Sequence, residues 1–335
     1  SRYVLRRPLR RGRIDFGGQC AEAVLCELQT LWEHAIGKVM GHPLGELEGL
    51  GCVLVAPANV CKTDLKMMLT VLVTRMRFKA VTVLQDAVAS CFAANMLTAC
   101  VVDIGHGKTS VSVVDDGVCM PCTSYHVGYG GDDVSKLLLW LVQEKSHILK
   151  ELSLSEPAHV EALRRLKDRV CYFLGAQQDV APRSDELTLH RPGYPSTVHK
   201  LRMGTAACVA PLGLFAPRLL CPEDWQCAER KAWSDAEETV DDEYIAEMIQ
   251  SRPASLVGNN LDDKLILRDE NQYPPDGLPP MPLHHMIRDS IARAYAVYES
   301  AKDDKKAQVD ASRGVEVLQK LYSNIILTGG GAALK

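Results

Sequence analysis

Ala99-Cys100-Val101-Val102-Asp103-Ile104-Gly105-His106-Gly107-Lys108-Thr109 is the stretch on which the reading of this chain turns. Its first six residues are apolar apart from Asp103, and a short apolar run closed by glycine reads as a buried strand. Thr109 to Val114 resumes the strand pattern, so residues 105–108 form a tight turn between antiparallel strands. Asp115-Asp116-Gly117 supplies a second turn, and a further strand is predicted from Val118 through Tyr125. Glycines let a backbone approach a phosphate, turn amides can cradle it, and an aspartate at a strand end is placed to hold hydrated Mg²⁺. The spacing of a P-loop is absent, as is that of a dinucleotide fingerprint. A hairpin that uses glycine for geometry alone fits the same residues.

Upstream, Cys20 to Val39 carries apolar residues at helical spacing, and Cys52 to Ala56 reads as a buried strand ended by Pro57. Lys62 to Arg77 is a predicted helix with Thr63 as its cap, Ala80 to Leu84 a strand, and Asp86 to Leu97 a helix. Strands alternating with helices predict an α/β layered architecture. Downstream, Gly130-Gly131 precedes a helix from Asp132 to Gln143, and Pro157 to Leu174 is another. A strand pair is predicted around Arg191-Pro192-Gly193, with Leu187–Leu189 on one side and Val198–Met203 on the other. Between 222 and 247 stand ten acidic residues against two basic ones, and five prolines follow between 274 and 282, which predicts a partly flexible insertion over about 221–282. A helix from His284 to Ser300, a charged helix or loop, and a strand from Ser323 to Leu327 lead into Thr328-Gly329-Gly330-Gly331.

The chain has 335 residues, of which 47% are hydrophobic and 24% charged, with a net charge of −4. This excludes a fibrous or wholly disordered protein and a polycation built to coat nucleic acid. No apolar run reaches the ~18–20 residues of a bilayer helix, and no signal-peptide stretch follows the arginine-rich start. The twelve cysteines lie mostly in apolar segments, where they act as small hydrophobes, and this predicts a reducing compartment.

Other segments carry weaker signals. Gly329-Gly330-Gly331 after a strand permits close contact with a flat nucleoside, or forms a plain exit loop. Arg164-Arg165-Leu166-Lys167-Asp168-Arg169 reads as a basic, solvated helix face. Cys119-x-x-Cys122 is half of a zinc pattern, but Cys221 and Cys227 are its nearest complement, and no metal site is predicted. Six arginines lie within residues 1–13. Arg6, Arg7, Arg10 and Arg11 can contact nucleic-acid phosphates, or form a solvated arm.

Together and in order, these motifs resemble the actin superfamily over most of the chain outside 221–282. Asp103-x-Gly105-x-Gly107-x-Thr109 resembles its second phosphate loop. Gly131 with Asp133 is similar to the glycine and aspartate that follow, Lys167-Asp168 to the pair lining the nucleotide pocket, and Gly329-Gly330-Gly331 to the adenosine-binding glycines. Gln85 falls at the glutamine that orients the attacking water. The arginine-rich start, Tyr129-Gly130-Gly131-Asp132-Asp133, His190-Arg191-Pro192-Gly193 and Pro211-Leu212-x-Leu214-Phe215-x-Pro217 resemble the nuclear actin-related branch more than conventional actin.

The resemblance implies an actin-like ATPase fold of the ribonuclease-H-like type, with two halves around a nucleotide cleft. Residues 1–95 would belong to the first subdomain, 96–128 and 283–335 to the third, and 129–282 to the fourth with its insertion. ATP with Mg²⁺ would be a structural ligand held by Asp103, Gly105, Gly107, Lys108, Thr109, Gly131, Lys167, Asp168, Gly329, Gly330 and Gly331. The implied role is a nuclear subunit of an Ino-type chromatin-remodelling complex, seated on a helix of the motor subunit with actin and another actin-related protein. It would engage DNA and histones and thereby bear on transcription, repair and recombination. An active ATPase or sugar-kinase-like phosphotransferase, and a polymerising cytoskeletal relative, are the rival readings.

The departures bear on catalysis. His106 stands where conventional actin has an aspartate, and Ser110 where it has a histidine. With Ser110 in place of the imidazole, half of the water-positioning pair is missing, and little or no turnover is expected. The family's first phosphate loop and C-terminal segment are not among these 335 residues, so the chain is expected to be a piece of something longer. The strand faces at Val53–Val55 and Val81–Leu84 are expected to stand partly open to water.

Overall fold

The computed structural model describes residues 6–10, 13–58, 60–120, 123–143, 152, 154, 156–173, 184–189, 195–220, 281–300 and 307–333. Most of the insertion, His190–Gly193, Arg11, Cys122, Cys221 and Cys227 lie outside them.

A short hairpin, β1 (Leu9–Arg10) and β2 (Arg13–Ile14), opens the first half. It is followed by α1 (Ala21–His34), β3 (Gly51–Ala56), α2 (Lys62–Thr70), β4 (Ala80–Gln85) and α3 (Asp86–Ala93). β3 and β4 run parallel, with Ala56 opposite Gln85, as two such strands joined by a helix must. Val24 and Leu28 of α1 pack with Met68 of α2, Val71 and Leu72 in a core of their own.

β5 (Ala99–Ile104) lies at the middle of the second half's sheet. It pairs parallel with β11 (Ile325–Thr328) and antiparallel with β6 (Thr109–Asp115). β7 (Val118–Cys119) and β8 (Tyr125–Val127) both continue from β6. On one face, Cys100, Val102, Val111 and Val113 meet α4 (Gly131–Gln143), α5 (Pro157–Val170), α6 (Ala206–Leu212), α7 (Leu283–Ser300) and α8 (Ala307–Ser323) in the largest core. On the other, Ala99, Val101 and Val114 pack on Ala87, Val88 and Cys91 of α3. The β9 (Ser184–Leu189) and β10 (Thr197–Arg202) hairpin packs through Leu187 and Leu201.

Several expectations are corrected. The predicted strand Val118–Tyr125 is two pieces, because Thr123 Oγ1 takes the Val113 N–H at 3.3 Å and donates to the Met120 carbonyl at 2.8 Å, interrupting the ladder. The helices predicted to run to Val39 and Arg77 give way to wider, π-type turns at Ala35–Val39 and Val71–Arg75, closed by Met40 N–H to Ala35 and Met76 N–H to Val71. α2 is capped by Cys61, whose Sγ accepts the Asp64 N–H at 3.3 Å, and not by Thr63. α3 ends at Ala93, where Asn95 takes a left-handed φ of 55° and Met96 N–H returns to Cys91. α5 ends at Val170, since Cys171 turns extended and Tyr172 N–H bonds the carbonyl of Ala207 in α6. α6 itself was not anticipated; it is a seven-residue helix with Pro211 inside it. β11 begins at Ile325, two residues later than expected.

Candidate functional site

The corner between β5 and β6 is built from backbone. Gly105 N–H closes the turn on the Lys108 carbonyl at 2.9 Å. The Gly105 and His106 carbonyls then accept the N–H groups of Gly131 (2.9 Å) and Asp132 (2.7 Å), so the turn caps the start of α4. A side chain at Gly130 would meet the Gly105 carbonyl at 2.6 Å, so only glycine lets the segments approach this closely. Asp133 holds the bend by accepting the Gly130 N–H at 3.0 Å. Thr109, fully buried, donates to the Tyr129 carbonyl at 2.8 Å, and the Tyr129 hydroxyl donates to the Met281 carbonyl at 2.8 Å. Thr109 therefore shapes the corner, its hydroxyl already committed.

Gly329 and Gly331 reach the same corner from the end of β11. Thr328 lies in register with Asp103, and Gly329 has a φ of +88°. A Cβ at Gly329 would collide with Asp103 Oδ1 and the Ile104 carbonyl, and one at Gly331 with Ile104 Cγ2. A Cβ at Gly131 would stand 3.8 Å from the Gly331 Cα, so the two glycine segments nearly touch, while the same position at Gly330 is open. Lys167 enters from α5. The residue is 4% exposed, and its ammonium has two partners among the described residues: the Gly131 carbonyl at 3.3 Å and half-exposed Asp168 at 3.3 Å. A nearly buried ammonium held this loosely is suited to a bound anion.

Lys108 turns the other way. Its Nζ lies 3.7 Å from Asp86 Oδ2 on the α3 face, and Asp103 shares that neighbourhood. Burial raises the pKa of both carboxyls; Lys108 draws each back down, and Asp86 raises that of Asp103 further. Gln85 ends β4 immediately before Asp86. Asp103, Ser110 and His126 form one row across β5, β6 and β8. His126 escaped the sequence reading, since nothing local marks a strand position that only pairing brings beside Ser110. It is buried, and Nδ1 has no hydrogen-bond partner among the described residues. Burial pushes its pKa down to about 3, with Lys108 adding to the effect.

Two arginines of the arm are paired with carboxylates. Arg6 pairs with Glu27 at 3.2 Å and donates to the Phe16 carbonyl, and Arg13 pairs with buried Asp64 at 2.9 Å. Arg7 Nη1 lies 3.4 Å from His106 Nε2. Arg10 sits in β1, and Arg11 is outside the described residues. Among the described residues no group of three His, Cys, Asp or Glu could hold a metal ion, and no helix is long and apolar enough to cross a membrane.

The actin family profile matches residues 26–179. Actin-related protein 8 of Bos taurus is 29% identical over 249 residues, covering 72% of this chain and 39% of that protein. The Mus musculus protein of that name is 30% identical over the same shares, and that of Aedes aegypti 34% identical over 221 residues, or 64% of this chain and 38% of that protein. The chain is thus similar to the actin family over residues 26–179. Its fold is shared with human actin-related protein Arp8 in its ATP-bound state, at a TM-score of 0.69 and 23% identity over 97% of this chain and 53% of that one. The actin-like α/β fold expected from the motifs is thus the fold observed. The chain spans about two-fifths of the length of these curated relatives.

Proposed function

We propose that the chain is a structural, ATP-binding member of the actin family that works as a nuclear subunit of an Ino-type chromatin-remodelling complex and engages DNA and histones. The observation that carries the nucleotide part is the meeting of Gly105, Gly131 and Gly331 around the ammonium of Lys167. Glycine cradles admit phosphate and nucleoside, and Lys167 supplies the charge. Bound ATP would supply a polyphosphate for these groups to hold. Asp103, at the end of β5, would face hydrated Mg²⁺. The relatives named actin-related protein 8, together with a solved structure of one in its ATP-bound state, support this reading.

Hydrolysis is expected to be slow. Ser110 cannot take up a proton or orient water as an imidazole does, and such groups are worth about 10²–10⁴-fold in rate. Steady ATPase activity that Gln85→Ala abolishes in the full-length protein overturns the structural-ligand reading. The complex is tested by recovering the full-length protein from nuclear extract and reading its companions by mass spectrometry. A remodelling motor subunit together with actin is the expected result. Cytoplasmic filament proteins without remodeller subunits would sink the assignment.

A further inference from the structure

The described arginines of the arm have different partners. Arg6 and Arg13 each face a carboxylate, Glu27 and Asp64. Arg7 faces none among the described residues. It is exposed, and its one hydrogen-bond partner there is the His106 imidazole, 3.4 Å away in the middle of the glycine turn. Burial lowers the His106 pKa and the cations Arg7, Arg164 and Lys167 lower it further, against the pull of Asp132; a neutral ring can accept the Arg7 N–H. The acids nearby are engaged: Lys136 lies 2.9 Å from Asp132 and 3.6 Å from Asp133, and Asp86 faces Lys108 on the other side of the sheet. Positive charge is therefore left over on the outer side of the turn.

We infer that Arg7 is a phosphate contact of the nucleotide site, delivered to it by the N-terminal arm and meeting the outermost phosphate. The order of groups sets which phosphate. Gly329 and Gly331 press on Asp103 and Ile104, at the inner end, whereas Arg7 touches His106, farther out along the turn. A polyphosphate laid from the inner to the outer end reaches Arg7 last. A planar guanidinium with several donors suits a terminal phosphate and would exchange the imidazole for it at little cost. This rests on the nucleotide reading above and adds a selection for triphosphate over diphosphate and monophosphate.

Isothermal titration of the full chain with ATP, ADP and AMP tests it, comparing wild type with Arg7→Ala and Arg7→Lys. One charge-assisted contact predicts that Arg7→Ala weakens ATP roughly 10- to 150-fold, ADP less, and AMP hardly at all. Arg7→Lys should fall between, and thermal unfolding without ligand should be unchanged. If Arg7→Ala unfolds, selective loss of ATP binding in Arg7→Lys carries the test. Equal losses for all three nucleotides, or none, overturn the inference. So does unchanged nucleotide binding with weaker retention of duplex DNA, which would assign the arm to nucleic acid. A wild-type chain that binds none of the three overturns the nucleotide reading itself.

Discussion

His126 is neutral in the folded protein because its ring is buried beside Lys108, with Nδ1 unpartnered among the described residues. Its pKa falls from an ordinary 6.5 to about 3, so below pH 6.5 the unfolded chain takes up a proton that the folded chain refuses. The stabilisation is complete above pH 6.5 and is lost as pH falls towards 3, by about 1.4 kcal/mol per unit. Between pH 6.5 and 5 the wild type should lose about 2 kcal/mol relative to His126→Gln in urea unfolding; parallel slopes would contradict this. Gly331 is the second test at this scale. A methyl there runs into Ile104 on a backbone that cannot yield, so Gly331→Ala should cost about 1–3 kcal/mol of stability and weaken ATP binding. Gly330→Ala, with open space around it, is the control and should leave stability nearly unchanged.

β3 and β4 form a two-stranded parallel sheet among the described residues, and its valines face water: Val53 is 62% and Val55 52% exposed. Parallel strands are ordinarily covered on both faces, and an uncovered pair with free edges invites association. Replacing both valines by threonine keeps the β-branch and removes apolar surface. The double variant should bind less of a hydrophobic dye and aggregate less on heating, with stability changed by less than about 1 kcal/mol. A cooperative loss of several kcal/mol would show that both side chains pack against something in solution. The actin resemblance led to this expectation, whereas the apolar run 52–56 by itself reads as a buried strand, which the exposure of Val53 and Val55 corrects. The π-type turns after α1 and α2 were not legible in the sequence, since the apolar spacing runs on smoothly past His34 and Thr70 while the backbone widens.

For the whole molecule, the corner draws on β5, α4, α5 and the end of β11, so a ligand held there ties together elements separated by more than 200 residues. Ligand bound only by the folded state should therefore stabilise it by about 2.7 kcal/mol at a hundred times its Kd. Differential scanning fluorimetry should show a rise in Tm with ATP that Lys167→Met removes, and an unchanged Tm in wild type would refute a built nucleotide site. The sequence by itself determined the α/β class, the β5–β6 hairpin and the glycines at 105, 131, 329 and 331. Those are local signals: an apolar run closed by glycine reads as a strand ending in a turn, and the order of these motifs along the chain resembles the actin superfamily. Only the tertiary structure decided that Lys108 turns to Asp86, that Thr109 serves Tyr129, and that His126 stands beside Ser110. It also brought Arg7 to His106, 99 residues away in the chain. A side chain's partner is set by strand register and helix packing between distant segments, and no short stretch of sequence encodes that.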